Sequence, residues 1–199
     1  MKNIVSWIKD NVVCLALSVI FIVMYFITCM NASVYYALSS CSIGYLNGEV
    51  YRYFTASLLH GSFFHLFWNV LATICVGSLV NPYLGKLKTA VVFCFGCIAG
   101  DIVFSLCFDY MYGCGASGGI FALIAAALVC WLRYPKKFSF HWYRIDFLFI
   151  IIYFFAANDN VSSVITHSFG FVFGTIISVL FIITHLVKPE NRKFNKHMQ

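Results

Sequence analysis

The chain has 199 residues, 62% of them hydrophobic and 10% charged, with a formal net charge of +6 and a mean hydropathy of +0.88. A water-soluble domain carries roughly 45–50% apolar and about 25% charged residues, so this composition excludes a soluble globular fold and makes the bilayer the solvent. The basic excess is scattered over short segments with no reading module, which argues against nucleic acid as a partner.

Crossing about 30 Å of hydrocarbon takes roughly 20 mainly apolar residues. Six runs qualify as spans, at 12–30, 63–80, 88–108, 116–132, 145–157 and 161–186. The first follows Lys2 and Lys9 but lacks a small-residue cleavage site, so it is expected to stay in a chain that starts at Met1. The fifth has an apolar core of only about 13 residues at 1.5 Å each, and relies on Trp142 and Tyr143 as interfacial anchors. An all-α bundle of six transmembrane helices over 1–187 is expected, followed by a polar tail at 188–199.

Charge orients this bundle. Lys2, Lys9, Lys86, Lys88, Arg133, Lys136, Lys137, Arg144, Lys188, Arg192, Lys193 and Lys196 fall in the N-terminal segment, the 81–88 and 133–144 loops and the tail, whereas the opposite loops hold only Arg52. The positive-inside bias therefore reads as N-in and C-in. On the other side, the loop at 31–62 is rich in aromatic residues, among them Tyr35, Tyr36, Tyr45, Tyr51, Tyr53 and Phe54, and is expected to fold onto or into the outer leaflet.

Nine cysteines are present, seven of them in apolar runs (Cys14, Cys29, Cys75, Cys94, Cys97, Cys107 and Cys130), where they act as small hydrophobes. Cys41 and Cys114 fall in loops, and the sequence leaves open whether they are free. No C-x-x-C pair has matching histidine spacing, so neither a metal site nor a cofactor is expected.

Polar side chains inside spans are costly and stand out as functional candidates. His65 and Asn69 are four apart and share one face of the second span. Ser117 opens the fourth span behind the glycine-rich run Gly113-Cys114-Gly115-Ala116, and His167 lies about 9 Å into the sixth. With the topology above, all four enter from the non-cytoplasmic side and reach a similar shallow depth. A serine at a helix start with a histidine base within reach can perform acyl transfer. The Ser117 amide, the Asn69 side-chain amide and His65 are candidate oxyanion donors, although His65 and Asn69 also fit plain interhelical hydrogen bonding. Asp101, read as mid-span and far from the outer face, and Asp159, in a loop, leave no acidic third member, so a Ser–His dyad is the simpler proposal. Asp101 reads either as a neutral packing residue or as a partner for a neighbouring Ser or Tyr. His60 at the loop-to-helix junction reads as structural, and His141, His185 and His197 carry no signal. Gly170 and Gly174 form a G-x-x-x-G that permits close helix approach.

Together, His60-x4-His65-x3-Asn69, Gly115-Ala116-Ser117-Gly118 and His167-x2-Gly170-x3-Gly174 closely resemble the three signatures of the rhomboid family of intramembrane serine proteases, in the same order, over about 49–174. The resemblance implies a water-filled cavity in which Ser117 attacks a peptide bond, His167 shuttles the proton, and His65 and Asn69 stabilise the oxyanion. It further implies transmembrane protein substrates cut in or beside their spans, with the fifth helix and the loop after it as gate and cap. Two positions depart from the pattern: Tyr51-Arg52 stands where Trp-Arg is frequent, and Phe121 where a Tyr commonly packs on the catalytic histidine. Other readings are a non-catalytic binder of membrane helices, disfavoured because Ser117 and His167 are both present, and a small transporter, disfavoured by the lack of repeats. A six-span form without an added soluble domain points to a bacterial inner membrane. The natural substrate is not written in the sequence.

Overall fold

The computed structural model describes residues 4–109, 112–135, 145–158 and 160–184. The tail at 188–199, Trp142, Tyr143, Asp159, His141, His185, His197 and the basic residues Lys2, Lys136, Lys137, Arg144, Lys188, Arg192, Lys193 and Lys196 lie outside them. The described residues form helices α1 (Ile4–Asp10), α2 (Val12–Met30), α3 (Ala32–Leu38), α4 (Arg52–Thr55), α5 (Phe63–Leu84), α6 (Lys86–Cys107), α7 (Ser117–Arg133), α8 (Ile145–Ala157) and α9 (Val161–Ile183). Short 3-10 turns occupy Ile43–Tyr45 and Ala56–Leu58. Four helices, α2, α5, α6 and α9, are long and apolar enough to cross a membrane, while α7 and α8 are shorter apolar helices. The chain is an all-helical, multi-pass integral membrane protein.

The α5–α6 junction corrects the expected 81–88 loop. Asn81-Pro82 reads as a break in sequence, yet α5 runs through Pro82 to Leu84 and the turn is made by Gly85 alone, at φ +80°. Positive φ suits glycine, which has no Cβ to clash with the carbonyl. Asn81 donates its side-chain amide to the Asp10 carbonyl and ties this corner to the N-terminal segment.

The centre of the bundle is α7. Ten of its residues from Gly118 to Cys130 are buried, including Ile120, Phe121 and Leu123. Burial against lipid-like neighbours supplies little hydrophobic drive, so close packing must hold such helices together. Glycines provide it: a Cβ on Gly170 would overlap the Gly118 carbonyl oxygen, and one on Gly174 the backbone of Ala122. On the other flank a Cβ on Gly119 would lie 2.6 Å from Cys97 Sγ, and one on Gly100 2.9 Å from Thr166 Cγ2. Helices α6, α7 and α9 are thereby fixed nearly backbone to backbone.

The 31–62 segment is folded, not a plain linker. Arg52 donates to the carbonyls of Tyr36 (2.6 Å) and Ser39 (2.9 Å) while pairing with Glu49 at 2.6 Å, and Thr55 donates to the Leu38 carbonyl. These groups satisfy carbonyls at the end of α3 that the helix itself leaves open. Arg52 holds the Glu49 carboxyl below the usual carboxylate range. A single two-way bridge between Ser40 and Gly113 joins this segment to the one that precedes α7.

Candidate active site

Three helix starts meet at one end of the bundle, and they are capped differently. The Ser62 hydroxyl accepts from His65 N–H at the start of α5, and Asn160 Oδ1 accepts from Ser163 N–H at the start of α9. Before α7 stands Ala116, which has no side chain to cap with. The Ser117 N–H that opens the helix therefore has no capping side chain and suits another acceptor.

Between these starts lies a cavity of about 560 Å³, lined by His65, Asn69, Ser117 and His167 together with Trp68, Cys114, Tyr153 and Asn160. Ser117 Oγ is 2.7 Å from His167 Nε2, and His167 Nδ1 is 2.9 Å from Asn158 Oδ1. Asn158 Nδ2 donates to the Phe154 carbonyl at 2.6 Å. That bond uses the amino end of the amide, so the end facing His167 is the oxygen, an acceptor only. His167 must then carry its proton on Nδ1, which leaves the Nε2 lone pair to accept the Ser117 hydroxyl hydrogen. A serine hydroxyl donating to a neutral imidazole is the arrangement that makes it a nucleophile.

Phe121 stacks on the His167 ring, with centroids 4.4 Å apart and an angle of 5° between planes. The apolar face that a tyrosine would offer at this position is thus supplied by phenylalanine. Gly115 has φ +135°, and a Cβ there would sit 2.8 Å from the His65 ring and 3.7 Å from Ser117 Oγ. Backbone conformation and the approach of the His65 ring both require glycine. Gly118, Gly170 and Gly174 act one layer deeper, in the packing already described.

Asn69 is buried, donates to the His65 carbonyl at 2.8 Å and accepts from Tyr153 O–H at 3.0 Å. Those partners fix which end of its amide is which, and the second N–H remains available to the cavity. His60 stacks against Phe21 and His65, at 5.2 and 5.1 Å between centroids, and neither of its ring nitrogens makes a well-formed hydrogen bond. Burial, with the neighbouring His65 as a lesser cause, pushes its pKa down to about 3. His60 is therefore a neutral packing ring beneath His65.

Asp101 corrects the sequence expectation of depth. It lies six residues before the end of α6, at the Ser117 end of the bundle, where it is buried against Ser40 and near Cys114. The opposed direction of α6 raises a residue late in that helix to the level of one early in α7. Tyr35 donates to Cys114 Sγ at 3.3 Å, and burial pushes the Cys114 thiol up. Cys41 and Cys114 are both free, and no grouping of metal-binding side chains occurs among the described residues.

Asn158 and Tyr153 also belong to the site, and neither is an acidic residue that the sequence would single out. Their signal was weak: Asn158 precedes Asp159-Asn160 in an evident helix cap, and Tyr153 sits in an apolar run.

A family model described as the Rhomboid domain matches residues 47–184. The chain is 27% identical over 157 residues to RHOMBOID-like protein 1 of Arabidopsis thaliana, covering 74% of this chain and 38% of that protein. It is 29% identical over 143 residues to the Bacillus subtilis protein named "Putative rhomboid protease YdcA", covering 70% and 71%. A third relative, 31% identical over 47% of this chain and 28% of its own length, is Inactive RHOMBOID-like protein 8 of Arabidopsis thaliana. The chain thus spans well under half the length of the plant relatives it matches. The family-model match extends over more than half of the sequence and takes in every residue of the cavity, so the chain belongs to the rhomboid family.

Proposed function

We propose that this protein is an intramembrane serine endopeptidase that cleaves membrane-anchored proteins in or near their transmembrane segments through an acyl-enzyme. The observation that carries the reading is the 2.7 Å contact between Ser117 Oγ and His167 Nε2, with the imidazole oriented by Asn158 on its other nitrogen. Ser117 Oγ attacks the scissile carbonyl carbon as its proton passes to His167 Nε2. The tetrahedral oxyanion forms beside the Ser117 N–H, the second N–H of Asn69 and the His65 ring, which stabilise it as a preorganised hole. Collapse breaks the C–N bond, His167 returns the proton to the leaving amine, and a water activated the same way hydrolyses the ester. The cavity walls carry Ser62, Asn69, Asn160 and Ser163, groups that suit a hydrated space.

The six-span, N-in and C-in arrangement is part of this proposal. Helices α7 and α8, at 17 and 13 residues, rise only about 26 and about 20 Å, so a site at the start of α7 is reached from the surface on a short path. Basic residues gather at the opposite ends of the spans, which supports an opening on the non-cytoplasmic side. A non-catalytic role is the alternative, and the Arabidopsis thaliana relative named inactive keeps it in view. Retention of Ser117 and His167 in contact favours catalysis.

The test is cleavage of a model transmembrane substrate by the purified protein in liposomes. Ser117→Ala and His167→Ala should each abolish cleavage while the protein still inserts and folds. Undiminished cleavage by Ser117→Ala removes the reading.

A further inference from the structure

We infer that Asn158, at the end of α8, is a positioning residue that holds His167 in the one tautomer able to accept the serine proton. The inference rests on the Ser117–His167 reading and extends it to a residue on a different helix.

The argument begins with what an unassisted imidazole does. A neutral histidine carries its single proton on either nitrogen, and only the Nδ1–H form leaves Nε2 free to act as base. His167 lies seven residues into α9, packed flat on Phe121, so its ring plane is set by stacking. Stacking does not distinguish the two nitrogens. Hydrogen bonding does distinguish them, and Asn158 Oδ1 stands 2.9 Å from Nδ1. Asn158 cannot turn its amino end to the ring without giving up the Phe154 carbonyl, to which Nδ2 donates at 2.6 Å. One short side chain therefore both closes the last turn of α8 and fixes the proton on His167.

An amide differs from a carboxylate here. It accepts from Nδ1–H without placing a formal charge in the site, which suits a position within a membrane domain, where an unpaired anion is costly. It offers no charge to stabilise the imidazolium that forms during the reaction, so orientation is what it contributes.

A plain helix-capping role is the competing explanation, and the two make opposite rankings. Asn158→Ala removes both the cap and the acceptor. Asn158→Asp removes the amino donor and places an anion at a helix C-terminus, which is unfavourable there, but keeps an oxygen for Nδ1–H. The experiment measures kcat, KM and thermal stability for wild type and both variants in the full-length protein, using one model transmembrane substrate. Positioning predicts that Asn158→Ala lowers kcat about tenfold, the worth of one hydrogen bond, with KM unchanged. It predicts that Asn158→Asp keeps more activity than Asn158→Ala while being no more stable. If kcat instead follows stability, with Asn158→Asp the poorer of the two, or if Asn158→Ala works at the wild-type rate, the inference is overturned. Wild-type protein that neither cleaves nor reacts with a fluorophosphonate would take down the dyad reading itself, and this inference with it.

Discussion

The two sides of the Ser117–His167 pair are built unlike each other. On one side α6, α7 and α9 meet through Gly96, Gly100, Gly118, Gly119, Gly170 and Gly174, with no room for a single added methyl group at most contacts. On the other, α8 has Ile151, Ile152, Phe154 and Phe155 exposed and only Phe149 and Tyr153 buried among its described side chains. The tightly packed side fixes the distance between Ser117 and His167. The lightly packed side supplies the orientation, through Tyr153 on Asn69 and Asn158 on His167. Distance is therefore secured by backbone contact and orientation by two hydrogen bonds from a more lightly packed helix.

Substitutions on the two sides should differ in kind as well as size. The largest effect is expected from Gly170→Ala, because the new Cβ would overlap a backbone carbonyl that no rotamer change can move. Overpacking of this kind costs about 3 kcal/mol, so thermal unfolding in detergent should show a strongly destabilised protein with little activity. By contrast Phe155→Ala, on the exposed face of α8, should change stability by less than about 0.5 kcal/mol. Equal losses for the two would erase the contrast.

Next in size is Tyr153→Phe. It deletes the hydroxyl that donates to Asn69 Oδ1 and leaves a buried acceptor unpaired, at a cost of about 1–2 kcal/mol. Freed of that partner, the Asn69 amide can turn over, and kcat should fall several-fold with little change in KM. An unchanged kcat would mean that Asn69 is oriented by its bond to the His65 carbonyl alone.

His60 gives a smaller, pH-dependent effect. Its pKa is depressed from 6.5 to about 3, so the unfolded chain binds a proton that the folded one refuses between those values. Stability contributed by the neutral ring is complete above about pH 6.5 and is lost as pH falls toward 3. His60→Phe keeps a ring against Phe21 and has nothing to protonate. Melting temperature followed from pH 7 to pH 4 should fall less steeply in the variant, and parallel curves would contradict the assignment.

The sequence made the distance-setting side legible because its signals are discrete: glycines four apart, a serine at a helix start, a histidine within an apolar run. Phe121 is placed on His167 by the resemblance, in which the residue four after the serine commonly packs on the histidine, and the stacked rings agree. The orienting side was hidden for a physical reason. Asn158 contacts His167 across a chain reversal, so its role depends on how α8 returns to α9, and no periodicity encodes that. Asp101 reads as mid-span in the run at 88–108, whereas side-chain packing brings this late residue of α6 beside Cys114 and Ser40, contacts that no span count encodes.

The most direct measurement is covalent labelling of the full-length protein with a fluorophosphonate, followed by mass spectrometry of the modified peptide. The adduct should sit on Ser117 alone and should disappear in His167→Ala, because the hydroxyl then has no base within 2.7 Å. Labelling at another serine, or labelling of Ser117 at the wild-type rate without His167, would contradict the account.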